Sequence, residues 1–83
     1  MKIVVLANGF VLVCRTYAII DDHIHMTSVR CIRAWGTAQG LGQLVNGPTS
    51  GTKLDATIPV VAAPLHSLVF NFDIVERAWA SHI

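Results

Sequence analysis

Residues 2–13, KIVVLANGFVLV, are the stretch from which the fold of this chain is most directly predicted. Two apolar runs rich in valine flank the pair Asn8-Gly9. An Asn-Gly pair between two β-rich runs is the strongest local signal of a β-hairpin, because both residues tolerate the positive φ of a type I′ turn. The sequence therefore predicts two antiparallel strands at its start, the second of which continues towards Ile20.

A third strand is predicted after the turn pair Asp21-Asp22. Residues 23–29, HIHMTSV, alternate polar and apolar side chains, which is the pattern of a half-buried strand. Apolar residues extend this β-character as far as Trp35. The residues before Gly36 are therefore expected to form a three-stranded antiparallel meander.

The centre of the chain is predicted to hold a short helix. From Thr37 to Val45 the apolar residues recur at helical spacing, and Thr37 is a suitable N-cap. Gly40 and Gly42 each cost such a helix about 1 kcal/mol relative to alanine. We therefore expect the helix to depend on tertiary contacts. The next residues, 46–52 (NGPTSGT), have the composition of a loop.

The remaining residues predict further strands and a second helix. Residues 53–63 are expected to be extended, at the edge of the sheet because of the flanking prolines, and residues 65–72 to form a strand. Asp73, followed three residues later by Glu76, predicts the capped start of a C-terminal helix. The predicted fold is a single α+β domain, residues 1–83, in which a mostly antiparallel sheet of four or five strands accompanies a short central helix and a C-terminal helix.

The composition predicts self-association. Apolar residues make up 53% of the chain and charged residues 13%, against about 25% charged in an average soluble domain. So few charges cannot cover the surface of a small domain, and large exposed apolar patches mark interfaces. We therefore expect a homo-oligomer.

The net charge and the cysteine content limit the partners and the cellular compartment that the sequence predicts. The net charge of +1 offers no basic field for nucleic acid, so no nucleic-acid partner is predicted. No apolar run reaches the length of about 18 residues that a membrane span needs, and no membrane partner is predicted. Cys14 and Cys31 are too few for a disulfide framework and are expected to be reduced thiols in the cytoplasm of a host cell.

Neither catalysis nor metal binding is predicted. His23 and His25 share one face of a strand, but no further ligand stands at a recognised metal spacing. Both cysteines lie in apolar runs, where a thiol is unreactive. We therefore predict no catalytic residue, no metal site and no cofactor, with an enzyme as the third alternative after two kinds of binding protein.

Residues 33–44, RAWGTAQGLGQL, which we call the glycine stretch, are the candidate ligand site. Their glycine spacing matches neither the dinucleotide fingerprint nor the P-loop. They nevertheless place small residues at a predicted helix start, whose N–H groups attract anions. An arginine can clamp a phosphate, and a tryptophan can stack on a base. The candidate ligand-binding residues are Arg33, Trp35, Gly36, Thr37, Gly40 and Gly42, with Arg30, Asn46, Thr49 and Thr52 as accessory candidates.

A structural alternative stays open for the same residues. In it Trp35 belongs to the core, the glycines allow close packing of helix on sheet, and Arg33 extends to solvent.

The glycine stretch and the residues after it resemble a group of short proteins from phages, prophages and other mobile elements. That group shares the motifs Ile-Arg-x-Trp-Gly-Thr, Gly-Leu-Gly-x-Leu, Gly-Pro-Thr and Thr-x-Leu-Asp. These motifs correspond here to residues 32–37, 40–44, 47–49 and 52–55. The resemblance implies a setting, the accessory proteins of mobile DNA, and no mechanism.

Two functions are compatible with these observations. The first is a non-enzymatic, self-associating protein that binds a small anionic ligand and, most concretely, sequesters a nucleotide immune signal, as some oligomeric phage proteins do. The alternative is a protein-interaction or structural module that binds a host or phage protein through an apolar face.

Overall fold

The computed structural model describes all of the residues, Met1–Ile83, and consists mostly of antiparallel strands. The strands are β1 (Lys2–Leu6), β2 (Val11–Cys14), β3 (Thr16–Ile20), β4 (His23–Ala34), β5 (Lys53–Leu54), β6 (Ile58–Pro64) and β7 (Leu68–Asp73). Short 3₁₀ helices cover Leu41–Asn46, Leu65–Ser67 and Ala80–His82, and the one α-helix, α1, is Glu76–Trp79. None of these helices is long and apolar enough to cross a membrane.

The long strand β4 is the centre of the sheet. Strands β2 and β3, separated only by Arg15, pair along one edge of β4, and β5 and β6 pair along the other. Strand β1 pairs with β2, and β7 pairs with the other edge of β1. All pairs are antiparallel, so the predicted meander of β1, β2/β3 and β4 is confirmed. Within β4, Ser28 departs from extended geometry with a φ of 50°.

The type I′ turn lies at a different hairpin from the one predicted. The prediction of a type I′ turn at Asn8-Gly9 is wrong, because only Gly9 has a positive φ there, 90°. Leu6 N donates to Phe10 O (2.9 Å), which leaves a three-residue loop that a left-handed glycine closes. The type I′ turn is instead the pair Asp21-Asp22, whose φ values are 50° and 59°.

The sheet buries an apolar cluster on each of its faces. Because successive side chains of a strand alternate between faces, β1 and β2 supply both clusters, and apart from Lys2 both strands are apolar. The first cluster contains Ile3, Val11, Val13, Ile32, Leu41, Leu44, Ile74 and Trp79. The second contains Val4, Leu6, Leu12, Cys14, Ile24, Met26, Val29 and Ala63. The central 3₁₀ helix and the C-terminal segment cover the first face, and the curl of the sheet encloses the second.

The predicted central helix is not an α-helix, so the chain is mostly β and its α+β assignment is corrected. Residues 38–40 are irregular, and a 3₁₀ helix, Leu41–Asn46, begins after Gly40, whose φ is 88°. Thr37 lies outside this helix and does not cap it. A 3₁₀ helix repeats every three residues, which is the spacing of the buried residues Leu41 and Leu44.

The C-terminal half confirms part of the prediction. Strand β6 lies at the edge of the sheet, as Pro59 and Pro64 indicated. A C-terminal α-helix is present but has only four residues, and it starts after Val75 without a side-chain cap. Asp73, the predicted cap, instead accepts a hydrogen bond from the ammonium group of Lys2 at 2.8 Å.

Candidate functional site

The glycine stretch begins where two backbone segments touch. Gly36, with a φ of 67°, lies so close to Gly51 that a Cβ at Gly36 would stand 2.6 Å from the Gly51 carbonyl oxygen. The Thr52 hydroxyl donates to the Trp35 carbonyl (2.6 Å), and the Thr49 hydroxyl donates to the Gly36 carbonyl. The structure therefore brings these accessory candidates to the predicted site, where their hydroxyl protons already bind the backbone.

The backbone amides that were expected to receive an anion have an acceptor within the chain. Ala38 N and Gln39 N both donate to Oε1 of Gln43, at 3.1 Å and 3.0 Å. The carboxamide oxygen occupies the position that a phosphate oxygen would take, and the sequence did not single out Gln43. An anion at these amides must displace the Gln43 side chain.

The two arginines have different surroundings. Arg30 donates to three backbone carbonyls, those of Asp55 (2.6 Å), His82 (2.6 Å) and Leu54 (3.4 Å). Its guanidinium therefore fastens the C-terminal segment and β5 to β4. Arg33 is 75% exposed and makes one ion pair, with the Asp55 carboxylate at 2.7 Å. Of the two, Arg30 is half-buried with its guanidinium bound to carbonyls, whereas Arg33 is mostly open to solvent.

The remaining candidates are mostly open to solvent. Trp35 is 42% exposed, so the alternative that places it in the core is wrong; the buried tryptophan is Trp79. A Cβ added at Gly40 or Gly42 would meet no atom within 4 Å. Asn46 is exposed at the end of the 3₁₀ helix, and Thr37 is half-buried.

An apolar cavity of about 390 Å³ lies away from the glycine stretch, between the β1–β2 loop and β6. Its lining is Leu6, Asn8, Phe10, Leu12, Val29, Cys31, Ile58, Val61, Ala62, Ala63, Pro64 and Ser67. Phe10 and Ile58 are 55% and 43% exposed beside it. The sequence did not predict this cavity, because its walls come from segments that are far apart along the chain. The sequence signal that could have indicated this cavity is the presence of two large apolar residues, Phe10 and Ile58, next to turn or loop residues.

The titratable groups do not gather into one site. No three His, Cys, Asp or Glu side chains form a group able to hold a metal ion. Burial raises the pKa of the Cys14 thiol above its ordinary value of 9.0. The second thiol, Cys31, is half-buried in the wall of the apolar cavity and forms no disulfide.

No protein-family model matches this chain, and no curated protein or solved structure is similar to it.

Proposed function

We propose that this chain is a non-enzymatic, self-associating protein-interaction module that binds a partner protein through the apolar cavity. The cavity carries this proposal, because its volume of about 390 Å³ is within the range of about 300–1,000 Å³ that small-molecule pockets span and therefore has room for an apolar side chain of a partner. Nine of its twelve lining residues are hydrophobic. The partner's contribution is an apolar anchor side chain, since such anchors in desolvated pockets supply most of the energy of protein interfaces.

The polar groups of the cavity favour a peptide segment as occupant. Asn8 and Ser67 lie on the β1–β2 loop and in the 3₁₀ helix before β7, where they line the cavity beside the apolar residues. Asn8 Oδ1 accepts one hydrogen bond, from Phe10 N at 3.3 Å, and its amide group is a further donor. A few polar groups around an apolar pocket fix the orientation of what binds there.

The test compares two neighbouring residues of β6. Ile58→Asp places a charge in the cavity wall, whereas Val60→Asp, at a residue that is 64% exposed and outside the cavity, is the matched control. We expect the fluorescent apolar probe anilinonaphthalene sulfonate to bind the parent and Val60→Asp but not Ile58→Asp. A partner captured from host-cell lysate should show the same dependence. Equal probe binding and equal capture by all three proteins would contradict the proposal.

A second candidate function is the binding of a small anionic ligand, most concretely a nucleotide immune signal that the protein sequesters. It is supported by the exposure of Arg33 and Trp35 at one strand end and by the open space over Gly40 and Gly42 later in the same stretch. In this proposal Arg33 leaves Asp55 to neutralise a phosphate, and Trp35 stacks on the base.

Calorimetry with cyclic and ADP-ribose-derived nucleotides tests the second candidate. Arg33→Ala should abolish the heat of binding, and Lys53→Ala, which removes an exposed charge from neighbouring β5, should retain it. Absence of heat with every nucleotide, or equal heat in both variants, would refute the anionic site. Release of a chemically altered nucleotide after denaturation would instead support an enzyme.

The proposal includes the biological setting of the chain as well. The resemblance to small phage and prophage proteins supports an accessory protein of a mobile element that acts in the cytoplasm of a host cell, without cofactor, nucleic acid or membrane.

A further inference from the structure

The strands that have a partner on one side only are β3, β5, β6 and β7. Strand β6 contains Pro59 and Pro64. Prolines on an edge strand hinder pairing with another chain, because they lack an N–H donor. Strand β7, LVFNFD, has neither proline, glycine nor lysine. Strand β7 pairs only with β1, so its outer row of backbone groups has no strand partner.

The unprotected edge is also apolar. Val69 and Phe70 are 58% and 49% exposed, and the ring of Phe70 stacks on that of Phe72 with centroids 6.2 Å apart. The one charged residue of the strand is Asp73, whose carboxylate is held by Lys2. A long, exposed, hydrophobic edge without a net charge is a template for adding another strand.

We propose that β7 pairs antiparallel with β7 of a second copy of this chain, about a two-fold axis at Asn71. This inference rests on the self-association included in the proposed function and names the surface that produces it. The two sheets would then join into one continuous sheet, and the contact would be isologous, with the same strand used by both copies.

The register proposed for the β7–β7 pair follows from an irregularity in the pairing of β7 with β1. The pairing of β7 with β1 shifts between Val5 and Leu6, so the regular part of β7 runs from Phe70 to Asp73. Centring the pair on Asn71 uses this regular part and sets Phe70 of each copy opposite Phe72 of the other. The stacked rings of the two copies would form one row across the interface, and aromatic cross-strand pairs are favourable.

The charges favour the same register. Centring on Asp73 would oppose two carboxylates, which is destabilising for directly opposite residues. Centring on Asn71 keeps the two carboxylates at opposite ends of the pair and sets the two Asn71 amides face to face. A second copy is favoured over an unrelated peptide because the uncharged, palindromic Phe-Asn-Phe core of β7 is complementary to itself.

Sedimentation of the full chain tests the proposal. In a series of protomer concentrations, the parent of 9.0 kDa should sediment as a dimer at the higher concentrations. Phe70→Lys should be a monomer, and Val60→Lys, which places the same charge on β6, should stay dimeric. Because Phe70 is half-exposed, its replacement is expected to leave the circular dichroism spectrum unchanged.

A cysteine variant tests the register independently of that substitution. Residues opposite each other in an antiparallel pair have Cβ atoms about 4.5–5.5 Å apart, and a two-fold axis at Asn71 sets this residue opposite itself. Asn71→Cys treated with oxidised glutathione should therefore form a disulfide-linked dimer, whereas the parent and Val60→Cys should not.

The possible outcomes separate the β7 contact from self-association in general. A monomeric parent would overturn both this inference and the self-association in the proposed function. A dimer that Phe70→Lys preserves, whatever the effect of Val60→Lys, would overturn the β7 contact alone. If Phe70→Lys fails to fold, absence of the linked dimer in Asn71→Cys overturns the proposed pairing.

Discussion

Replacing Gly36 with alanine is expected to destabilise the fold more than the same change at Gly40 or Gly42. Gly36 combines two constraints, a left-handed φ of 67° and the close approach of the Gly51 backbone. Gly40 has only the first constraint, a φ of 88° in open space, and Gly42 has neither. The three glycines therefore form an internal series that separates backbone strain from steric overlap.

The magnitudes follow from these differences. A non-glycine residue with the left-handed φ of Gly36 costs about 1–2 kcal/mol. Gly40, with φ 88° and ψ −177°, lies in a region essentially restricted to glycine, so Gly40→Ala is expected to lose about 1–3 kcal/mol. At Gly36 the added methyl group also overlaps a backbone that cannot move aside freely, and overpacking adds about 1–3 kcal/mol. Gly36→Ala should thus lose about 2–5 kcal/mol, whereas Gly42→Ala should gain about 0.4–1 kcal/mol by restricting the unfolded chain.

Urea unfolding followed by circular dichroism measures the series. A loss of about 3 kcal/mol lowers the midpoint by about 2 M for a domain of this size. The three variants must be compared at one protomer concentration, because association with a second copy adds to apparent stability. Equal losses for Gly36→Ala and Gly40→Ala would refute the close approach of residues 36 and 51.

Three further predictions concern individual side chains. Trp79→Phe removes the indole donor that the Leu44 carbonyl accepts at 2.7 Å, and urea unfolding should show a loss of about 1–3 kcal/mol. Burial raises the pKa of the Cys14 thiol, so the free energy of unfolding should fall as the pH rises above the ordinary value of 9.0. A Cys14→Ala variant should show a weaker fall with pH. An equal fall in the variant and the parent would contradict the assignment to Cys14. The hydrogen bond from Lys2 lowers the pKa of Asp73 below its ordinary 3.8, so its stabilising effect is present above that value and is lost as the pH falls through the lowered pKa. NMR titration should place the pKa of Asp73 closer to 3.8 in Lys2→Met than in the parent.

The strands were predictable because their signals are local. The alternation of residues 23–29 places Ile24 and Met26 in the core, as a period of two requires. The central helix was not predictable in type, because apolar residues three apart fit both a 3₁₀ helix and an α-helix. A propensity argument includes the cost of Gly40 but not its positive φ of 88°, at the residue directly before the helix begins at Leu41.

The exposure of two candidate residues agrees with the sequence, and their role in binding stays a prediction. The sequence placed Arg33 and Trp35 at a strand end, and the structure exposes both. The role of Arg30 was out of reach, because two of the carbonyls that it binds follow it by 25 and 52 residues. The apolar cavity was missed for the same reason, since tertiary structure alone brings its walls together.

The glycine stretch combines positions that the fold explains with positions that it does not. The fold accounts for Gly36 through its contact with Gly51, and for Gln43 through the amides that its side chain binds. It gives a weaker reason for Arg33 and Trp35, because an exposed ion pair contributes at most about 1 kcal/mol and Trp35 is 42% exposed, whereas Trp79 is fully buried. Loss of Trp35 should therefore affect stability less than loss of Trp79. A binding defect in a stably folded Trp35→Ala variant would consequently report on function rather than on folding.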